Sequence, residues 1–433
     1  MTIETCTDDS FTSKASSPIS KSLLKNIRDR FYYADSCPFE GPRIYFENAG
    51  GSLTLKSVIQ VTSDIGCIPD NEHRDNKASA ALSKVVEQGK RDLAKLFGAT
   101  KGTVFGGETG TECLFRLIRT ASLETPEGGS VLSCSLEHPA TYDSTQIWAK
   151  KTGREWIEVP FDVSTGVVTA EHYAQSVRPD TRVATIIHTN PVTGMVMDVK
   201  AIAEAIRSIA PDCYIIVDGI QHAPHGVIGV DDLDIDAYVL SLYKVFSKFN
   251  NGYAWVSERF TQLPHDKLLG KPADAWELGS RDPSALAAVS EVVNYLEWLG
   301  LNFITDEQPV PALEAAGKAM FAHERHLVDA ILNGTSGLKG LKSYDNIRVI
   351  GDLEKDHHES VVSFSVDDIE SKDIVTMLSH HNIRIHARSA DAYSGNILRP
   401  LGLTSVARVS LGHYNSLEEV TALLVALEKI LNK

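Results

Sequence analysis

An acid and an amine that follow neighbouring apolar runs are the residues of this sequence best placed to do chemistry together. Asp218 ends the run 214–217, and Lys244 follows the run 237–240. Unbroken β-branched runs are typical of strands buried on both faces, and open α/β sheets bind ligands just past their strand ends. Lysine beside aspartate suits pyridoxal phosphate, because lysine forms the Schiff base and the carboxylate pairs with the pyridinium nitrogen. On spacing alone, a surface lysine and a solvated loop aspartate are the commoner interpretation.

The residues around this pair resemble a known family of enzymes. The segments DGIQH, which begins at Asp218, and SLYK, which ends at Lys244, are similar to those of class V aminotransferases. This is the cysteine desulfurase-like group of fold-type I pyridoxal phosphate enzymes. The resemblance implies that Lys244 carries the cofactor, that Asp218 lies under its ring nitrogen, and that Gln221 lies near its ring hydroxyl.

A glycine-rich turn, GGETGTE, precedes a segment with a helical pattern and offers free backbone N–H groups to a phosphate. The signal is weak by itself, because the turn lacks the Gly-Lys-Ser/Thr ending of a P-loop. In the family that the chain resembles, such a turn holds the cofactor phosphate, which implies contacts from Gly110 and Thr111. The resemblance adds Ser241 and Tyr243, the tyrosine replacing a histidine of the desulfurases. Ser280 stands where a family threonine reaches the phosphate of the neighbouring subunit, which implies a homodimer with shared active sites.

The same resemblance implies residues that contact the cofactor ring and the substrate. His138, in an EH segment, matches a histidine that stacks on the pyridine ring, and Asn190 matches an asparagine that faces cofactor and substrate. Asn48 and Gly50 lie in a small-residue turn that brings backbone close to the substrate. Arg408 matches the arginine that binds the substrate carboxylate, which a guanidinium fork fits bidentately. Without the resemblance, a lone histidine is more often a capped surface or core residue, the small-residue turn needs no special chemistry, and Arg408 could be a surface strand arginine.

Composition narrows the class of partner. The 433 residues carry a net charge of −15, which argues against nucleic acid or an anionic membrane surface as partner. The six cysteines have no paired spacing, as expected in a reducing compartment. No apolar run is long enough for a membrane span and no signal peptide is evident, so we expect a cytoplasmic protein. The pairs His357-His358 and His380-His381 lack companion ligands at zinc spacing, so we expect no metal.

Strand, turn and helix patterns alternate along most of the chain and predict an α/β fold with a mainly parallel sheet between helices. We expect a disordered tail at 1–20, a large cofactor-binding domain at 21–300 and a smaller α+β C-terminal domain at 301–433. Segment 21–60 is a candidate to pack on the small domain. Helical periodicity is clear at 79–97, and the SLEE capping box opens a last helix.

One expected residue of the desulfurases is missing. Those enzymes carry a mobile nucleophilic cysteine shortly before the carboxylate-binding arginine, whereas segment 385–395 contains none and no cysteine follows Cys213. Subgroups with a tyrosine before the lysine and HYN near the end also tend to lack it. They include relatives of isopenicillin epimerases and of lyases that cleave cysteine sulfoxide conjugates. His386, Arg388 and Tyr393 lie where the protein would recognise the distal group of a substrate.

We therefore predict a C–S β-lyase that acts on an L-cysteine derivative and releases pyruvate and ammonia. In this hypothesis Lys244, once displaced from the cofactor, removes the Cα proton. Three alternatives stay open. They are an amino-acid racemase or epimerase, a desulfurase with an unplaced cysteine, and a non-catalytic protein that binds pyridoxal phosphate as a regulator.

Overall fold

The computed structural model describes residues 17–304, 310–351 and 358–432. Its strands are β1 (Ser36–Cys37), β2 (Gly41–Pro42), β3 (Ile44–Tyr45), β4 (Thr103–Gly107), β5 (Ser130–Cys134), β6 (Glu155–Val159), β7 (Thr181–Ile187), β8 (Tyr214–Asp218), β9 (Ala237–Ser241), β10 (Gly252–Val256), β11 (Ile347–Ile350), β12 (Val361–Val366), β13 (Ile383–Arg384), β14 (His386–Ser389) and β15 (Ser405–Ser410). Its helices are α1 (Lys21–Arg28), α2 (Lys56–Gly66), α3 (Lys77–Phe97), α4 (Gly110–Glu124), α5 (Pro139–Lys151), α6 (Ala170–Ser176), α7 (Val199–Ile209), α8 (Glu258–Thr261), α9 (Pro283–Gly300), α10 (Ala312–Asn333), α11 (Ser371–Ser379), α12 (Gly395–Leu398) and α13 (Leu417–Leu431). Short 3-10 turns cover Asn48–Gly50, Val230–Asp232, Leu242–Lys244 and Leu341–Ser343.

A seven-stranded sheet forms the centre of the larger part of the molecule, with the strand order β4-β10-β9-β8-β7-β5-β6. Strands β5 to β9 pair in parallel, whereas β10 runs antiparallel to both of its neighbours. The predicted mainly parallel α/β fold is confirmed. The direction of β10 follows from the short link after β9, because residues 242–251 cannot form the long crossover that a parallel neighbour requires.

Apolar side chains cover both faces of this sheet, which explains why its central strands read as unbroken apolar runs. On one face, Leu114 and Leu117 of α4 pack with Val131 and Val239. On the other face, Leu93 of α3 and helices α7 and α9 pack against alternate residues of the same strands. The central strand ends are therefore held between two helical layers.

A second, smaller sheet has the order β11-β12-β15-β14 with antiparallel pairing throughout, and it packs its own apolar core against α10, α11 and α13. The sequence predicts a single short strand at 383–387, and this prediction is wrong. The chain divides there, because β13 pairs with the distant β3 while β14 pairs with β15. Phe46, just after β3, is buried in the core of this second sheet.

Side-chain caps begin several helices where the sequence places them. Ser20 accepts a hydrogen bond from Leu23 N at the start of α1, and Ser416 and Glu419 form the predicted capping box of α13. Of the tail predicted at 1–20, residues 1–16 lie outside the described residues, whereas Ile19 is buried. Among the helices of the described ranges, none is sufficiently long and apolar to cross a membrane.

Candidate active site

A cavity of about 270 Å³ opens at the carboxyl ends of β7, β8 and β9, and we call it the lysine cavity. Parallel strands bring their carboxyl ends to one edge of a sheet, which is where α/β proteins bind small molecules. The cavity is lined by Thr109, Gly110, Thr111, His138, Ile187, Thr189, Pro191, Asp218, Ile220, Gln221, Ser241, Tyr243, Lys244 and Phe249. A larger cleft of about 710 Å³ lies between α1 and the start of α13 and contains none of the predicted site residues.

Asp218 and Lys244 lie in this cavity, as the strand-end pattern predicts. Asp218 is the last residue of β8, and Lys244 ends the 3-10 turn that follows β9. The Lys244 Nζ atom donates to Gln221 Oε1 at 3.0 Å, and the Asp218 carboxylate accepts from the Ile220 N–H group at 3.1 Å. All three side chains are buried. The predicted cofactor lysine, its acid and the predicted ring-hydroxyl residue thus share one site.

Burial moves the pKa values of Lys244 and Asp218 toward neutral pH. It lowers the pKa of Lys244 to about 7, with Arg408 acting in the same direction and Asp218 opposing it. It raises the pKa of Asp218 to about 6 against the opposing effects of the Ile220 N–H group and Lys244. A lysine amine with such a pKa is partly unprotonated near pH 7, as nucleophilic attack and proton abstraction require.

The start of α4 closes one end of the cavity. Thr109 caps the helix by accepting from Glu112 N, and Gly110 N donates to Ser241 Oγ at 3.2 Å. A side chain at Gly110 would not fit, because its Cβ would lie 2.5 Å from both Ser241 Oγ and Ile220 Cδ1. Gly110 N and Glu112 N are thus engaged within the protein, and Thr111 lines the cavity between them, at a helix start that favours an anion.

Aromatic side chains also line the cavity. His138 caps α5, its Nδ1 accepting from Ala140 N at 3.1 Å. Burial, together with the charges of Lys244 and Arg388, lowers the pKa of His138 to about 4. The ring is therefore neutral at physiological pH and suited to stacking. Tyr243 stacks on Phe249 with ring centroids 4.5 Å apart.

Asn190, predicted to face cofactor and substrate, does not line the cavity. It is fully buried and its amide holds the turn after β7 together. The Nδ2 atom donates to Leu136 O at 2.5 Å, and Oδ1 accepts from Val192 N and Thr193 N, both at 2.8 Å. Every polar atom of this amide is engaged with backbone, so its neighbour Thr189 reaches the cavity instead.

Other predicted site residues lie outside the cavity of this chain. The Asn48 Nδ2 atom donates to Ser410 O at 2.9 Å, joining the small-residue turn to β15. Gly50 is exposed and does not line the cavity, whereas Gly51 approaches the Tyr243 ring. Ser280 is also exposed and outside the cavity of its own chain.

Arg408 is 3% exposed and lies immediately behind the cavity wall. Its Nη1 atom donates to Pro191 O at 2.7 Å, and Pro191 lines the cavity. Its Nε atom is buried without a hydrogen-bond partner. Burial, with the charge of Arg388, lowers the pKa of Arg408 to about 9. The position agrees with an anion-binding role beside Lys244.

Sequence reasoning missed a buried chain of polar groups behind Lys244. The Nε2 atom of Gln221 lies 3.3 Å from His225 Nε2, and His225 Nδ1 lies 2.8 Å from Glu324 Oε2 on α10. Burial lowers the pKa of His225, but Glu324 outweighs that effect and the pKa lies above its ordinary value. His225 follows the DGIQH segment at a spacing of four from Gln221, which is the only local signal. Glu324 has none.

Thr189 and Phe249 are also missed residues of the cavity wall. Thr189 follows β7, so the strand-end rule that selects Asp218 predicts it too, and its Oγ1 is buried without a partner. Phe249 is 65% exposed in the loop after Lys244, where no sequence pattern marks it. In the described parts of the chain, no group of three or more His, Cys, Asp or Glu residues is arranged to hold a metal ion. His357 lies outside those parts.

The sequence model of the family described as Aminotransferase class-V matches residues 44–423, which is most of the chain. The protein belongs to the class V aminotransferase family. Enzymes of this family depend on pyridoxal phosphate, and members act on small amino-acid substrates. The match includes the strands and the α4 start that line the lysine cavity, and the second sheet that carries Arg408.

Curated relatives and solved structures agree with this assignment. The aminotransferase-like protein FGM3 of Gibberella zeae is 26% identical over 94% of this chain and 98% of its own. The cysteine desulfurase-like protein ustD of Aspergillus flavus is 25% identical over 98% of this chain and 94% of its own. An apo cysteine desulfurase from Thermococcus onnurineus has the same fold, with a TM-score of 0.77, 20% identity, and 90% and 95% of the two chains covered. The architecture is therefore that of fold-type I.

The residues of the lysine cavity fit pyridoxal phosphate. A buried amine with a pKa of about 7 can link to the cofactor aldehyde, and Asp218 can pair with the ring nitrogen. The α4 start and Ser241 offer donors to a phosphate, and Thr189 Oγ1 is a buried polar atom whose partner the protein itself does not supply. His138 supplies a neutral ring for stacking.

Proposed function

We propose that this protein is a pyridoxal phosphate-dependent lyase that cleaves the Cβ–S bond of an L-cysteine derivative. Water enters and the products are pyruvate, ammonium and a thiol, or a sulfenic acid where the substrate is a sulfoxide. The proposal rests on one observation: a buried lysine with a pKa of about 7 faces a cavity that no cysteine of residues 17–304, 310–351 and 358–432 lines. Such a site can remove a proton from Cα, whereas sulfur transfer to the protein needs a thiol.

Pyridoxal phosphate, when bound, supplies the electron sink for the negative charge at Cα. The chain supplies the rest. Arg408 holds the substrate carboxylate, Gln221 orients the Lys244 amine, and the amine takes the Cα proton. The Asp218 carboxylate, buried beside this amine, keeps a positive charge favourable on the ring nitrogen. The electrons of the broken C–H bond then expel the β-sulfur with its bonding pair.

The test is product analysis of the holoenzyme with L-cysteine and a panel of S-substituted cysteines and their sulfoxides. Pyruvate and ammonium in equal amounts support the proposal. The Lys244→Ala variant is expected to lose at least about a thousandfold in turnover and to lose the borohydride-reducible link to its own chain. Release of D-amino acid instead would establish a racemase or epimerase.

Sulfur transfer is the second candidate, because several relatives are named as cysteine desulfurases. Among the described residues, Cys113, Cys134 and Cys213 are buried, and burial raises the pKa of all three thiols. Cys37 and Cys67 are accessible but do not line the lysine cavity. Alanine and enzyme-bound persulfide from L-cysteine would support this candidate. A protein that binds the cofactor and converts no amino acid would match the regulator alternative.

We also propose that the active unit is a homodimer. Ser280 is solvent-exposed in one chain, as a residue that serves the site of a neighbour would be. Leu278, two residues before it, is half-exposed, and Leu268 and Leu269 expose still more apolar surface in the same stretch of chain. Exposed apolar patches of this kind mark protein interfaces. Sedimentation analysis tests the proposal, and a monomer with full activity would refute it.

A further inference from the structure

Two arginines face the same side of the smaller sheet. Arg408 on β15 lies opposite His386 on β14, and Arg388 lies opposite Val406, two residues along each strand. Directly opposite residues point to one face of a sheet, and so do residues two apart along a strand. Arg388 and Arg408 are therefore diagonal neighbours, at a spacing of about 7–8 Å between backbones. The register alone brings two guanidinium groups together.

Neither guanidinium has a carboxylate within 4.0 Å in residues 17–304, 310–351 and 358–432. The Arg388 Nε atom donates to the buried Ser394 Oγ at 2.9 Å, which is a neutral partner. Arg408 donates to a backbone carbonyl. Glu47 is the acid whose charge acts on Arg408. Its carboxylate is already paired with Arg384 at 2.7 Å and with His386 at 3.1 Å.

The acid on the segment of Arg388 is also engaged elsewhere. Asp391 is exposed, and its Oδ1 accepts from the N–H groups of Tyr393 and Ser394 at 2.8 and 3.2 Å. Buried or half-buried charges in proteins are normally paired. Two cations without a carboxylate partner on one face therefore indicate that each of them pairs with an anion from outside the chain.

The Arg388 segment is attached to the wall of the lysine cavity. Asn396, in the helix that follows Arg388, donates from Nδ2 to Glu137 O at 2.7 Å, directly before His138. The charge of Arg388 accordingly lowers the pKa of both His138 and Lys244. Arg408 reaches the same cavity through Pro191. The positive charges of Arg388 and Arg408 are thus both felt inside the lysine cavity, where the Cα atom of a substrate would lie.

We propose that the substrate carries two anionic groups, the α-carboxylate bound by Arg408 and a distal carboxylate or sulfonate bound by Arg388. This inference rests on the proposed function and narrows it to S-substituted cysteines whose substituent ends in an anion. Ser394 Oγ accepts from Arg388 and fixes the orientation of its guanidinium, so a second anion meets a pre-oriented group. A neutral substituent would leave that cation without a partner.

The holoenzyme tests the inference with a matched pair of substrates. S-Carboxymethyl-L-cysteine and S-carbamoylmethyl-L-cysteine have the same shape and differ in one charge. We expect kcat/KM to favour the charged substrate by roughly 10- to 100-fold. In Arg388→Gln that ratio is expected to fall to near one, because the charged substrate loses its partner while the neutral substrate changes little. Arg399→Gln, at an exposed arginine in the same part of the chain, is the matched control and should keep the wild-type ratio.

A binding measurement separates failure of the inference from failure of the lyase assignment. Succinate and succinamate, which have no amino group to react, are titrated into the holoenzyme by calorimetry. We expect succinate to bind at least about tenfold more tightly to the wild type and the difference to vanish in Arg388→Gln. Equal binding of the two ligands by the wild type would overturn the inference. Selective succinate binding without pyruvate formation from any conjugate would preserve it and reject the lyase.

Discussion

Replacing Asp218 by asparagine is expected to stabilise the cofactor-free protein while it removes the acid that the cofactor needs. The carboxylate is buried, and within the chain it accepts from Ile220 N. Asparagine keeps that acceptor and removes the buried charge. Stability lost to a functional site is common, because a catalytic group is placed for its reaction rather than for the fold.

The magnitude follows from the pKa of Asp218, which burial raises from 3.8 to about 6. Below pH 3.8 the carboxyl is protonated in the folded and unfolded protein, so both proteins have similar stability. Between pH 3.8 and 6 the unfolded carboxyl ionises before the folded one, so the wild type loses stability relative to the variant as pH rises. The difference between the two pKa values makes the free energy of unfolding of the variant larger than that of the wild type by about 3 kcal/mol at pH 8 and by roughly half of that at pH 5.

Thermal unfolding of the cofactor-free proteins between pH 5 and pH 8 measures this difference. A chain of 433 residues has an unfolding entropy of about 0.9 kcal/mol/K. Asp218→Asn is therefore expected to melt about 3 °C higher than the wild type at pH 8. Burial, and to a smaller extent the charge of Asp218, raise the pKa of the neighbouring Glu137 to about 7, so removing that charge makes ionised Glu137 less costly and adds to the stabilisation of the variant.

Asp236 provides a matched control of opposite sign. It is as buried as Asp218, but it accepts from Arg207 and Arg259, both at 2.6 Å. Asp236→Asn removes the buried carboxylate that Arg207 and Arg259 share, so it is expected to lower the melting temperature at pH 8. A pH-independent difference for Asp218→Asn, or a variant less stable than the wild type at pH 8, would refute the reasoning. Added pyridoxal phosphate should stabilise the wild type more than Asp218→Asn.

Three further perturbations test other parts of the site. Asn190→Ala removes three buried hydrogen bonds. At about 1–2 kcal/mol each, their loss is expected to lower the melting temperature by about 3–6 °C. An unchanged melting temperature with weaker cofactor binding would instead support direct contact between Asn190 and the cofactor. Glu324→Gln removes the carboxylate that raises the pKa of His225, so the acid limb of the activity profile is expected to move to lower pH. An unmoved limb would separate His225 from catalysis. Ser280→Ala is expected to weaken cofactor binding severalfold, and mixing it with Lys244→Ala should restore activity in heterodimers, provided that sites are shared between subunits.

Local pattern predicted much of the site, because strand ends are a consequence of chain periodicity. The apolar runs that end at Asp218 and Ser241 fix where polar side chains leave the sheet, and parallel pairing brings those ends together. Lys244 lies one short turn further on. The small-residue start of α4 was likewise readable, since Gly110 tolerates an approach of 2.5 Å that no side chain would allow.

Tertiary structure alone decided which side chains pair with which. Asn190 has the predicted residue type in the predicted turn, yet its amide is used by the backbone of that turn and of the distant Leu136. Glu324 reaches the lysine through His225 across a separation of 99 residues. No spacing rule covers such a contact, because it depends on how α10 packs after the chain has folded.

The sequence by itself thus determined the fold class, since periodicity and chain direction fix it, and short motifs predicted that Asp218 and Lys244 share one site. Only the tertiary structure decided that Arg388 and Arg408 share a face without carboxylate partners, because strand register and the alternative pairing of Glu47 set that arrangement. The identity of a cation's partner is a property of three-dimensional packing, in which residues hundreds of positions apart compete for the same charge.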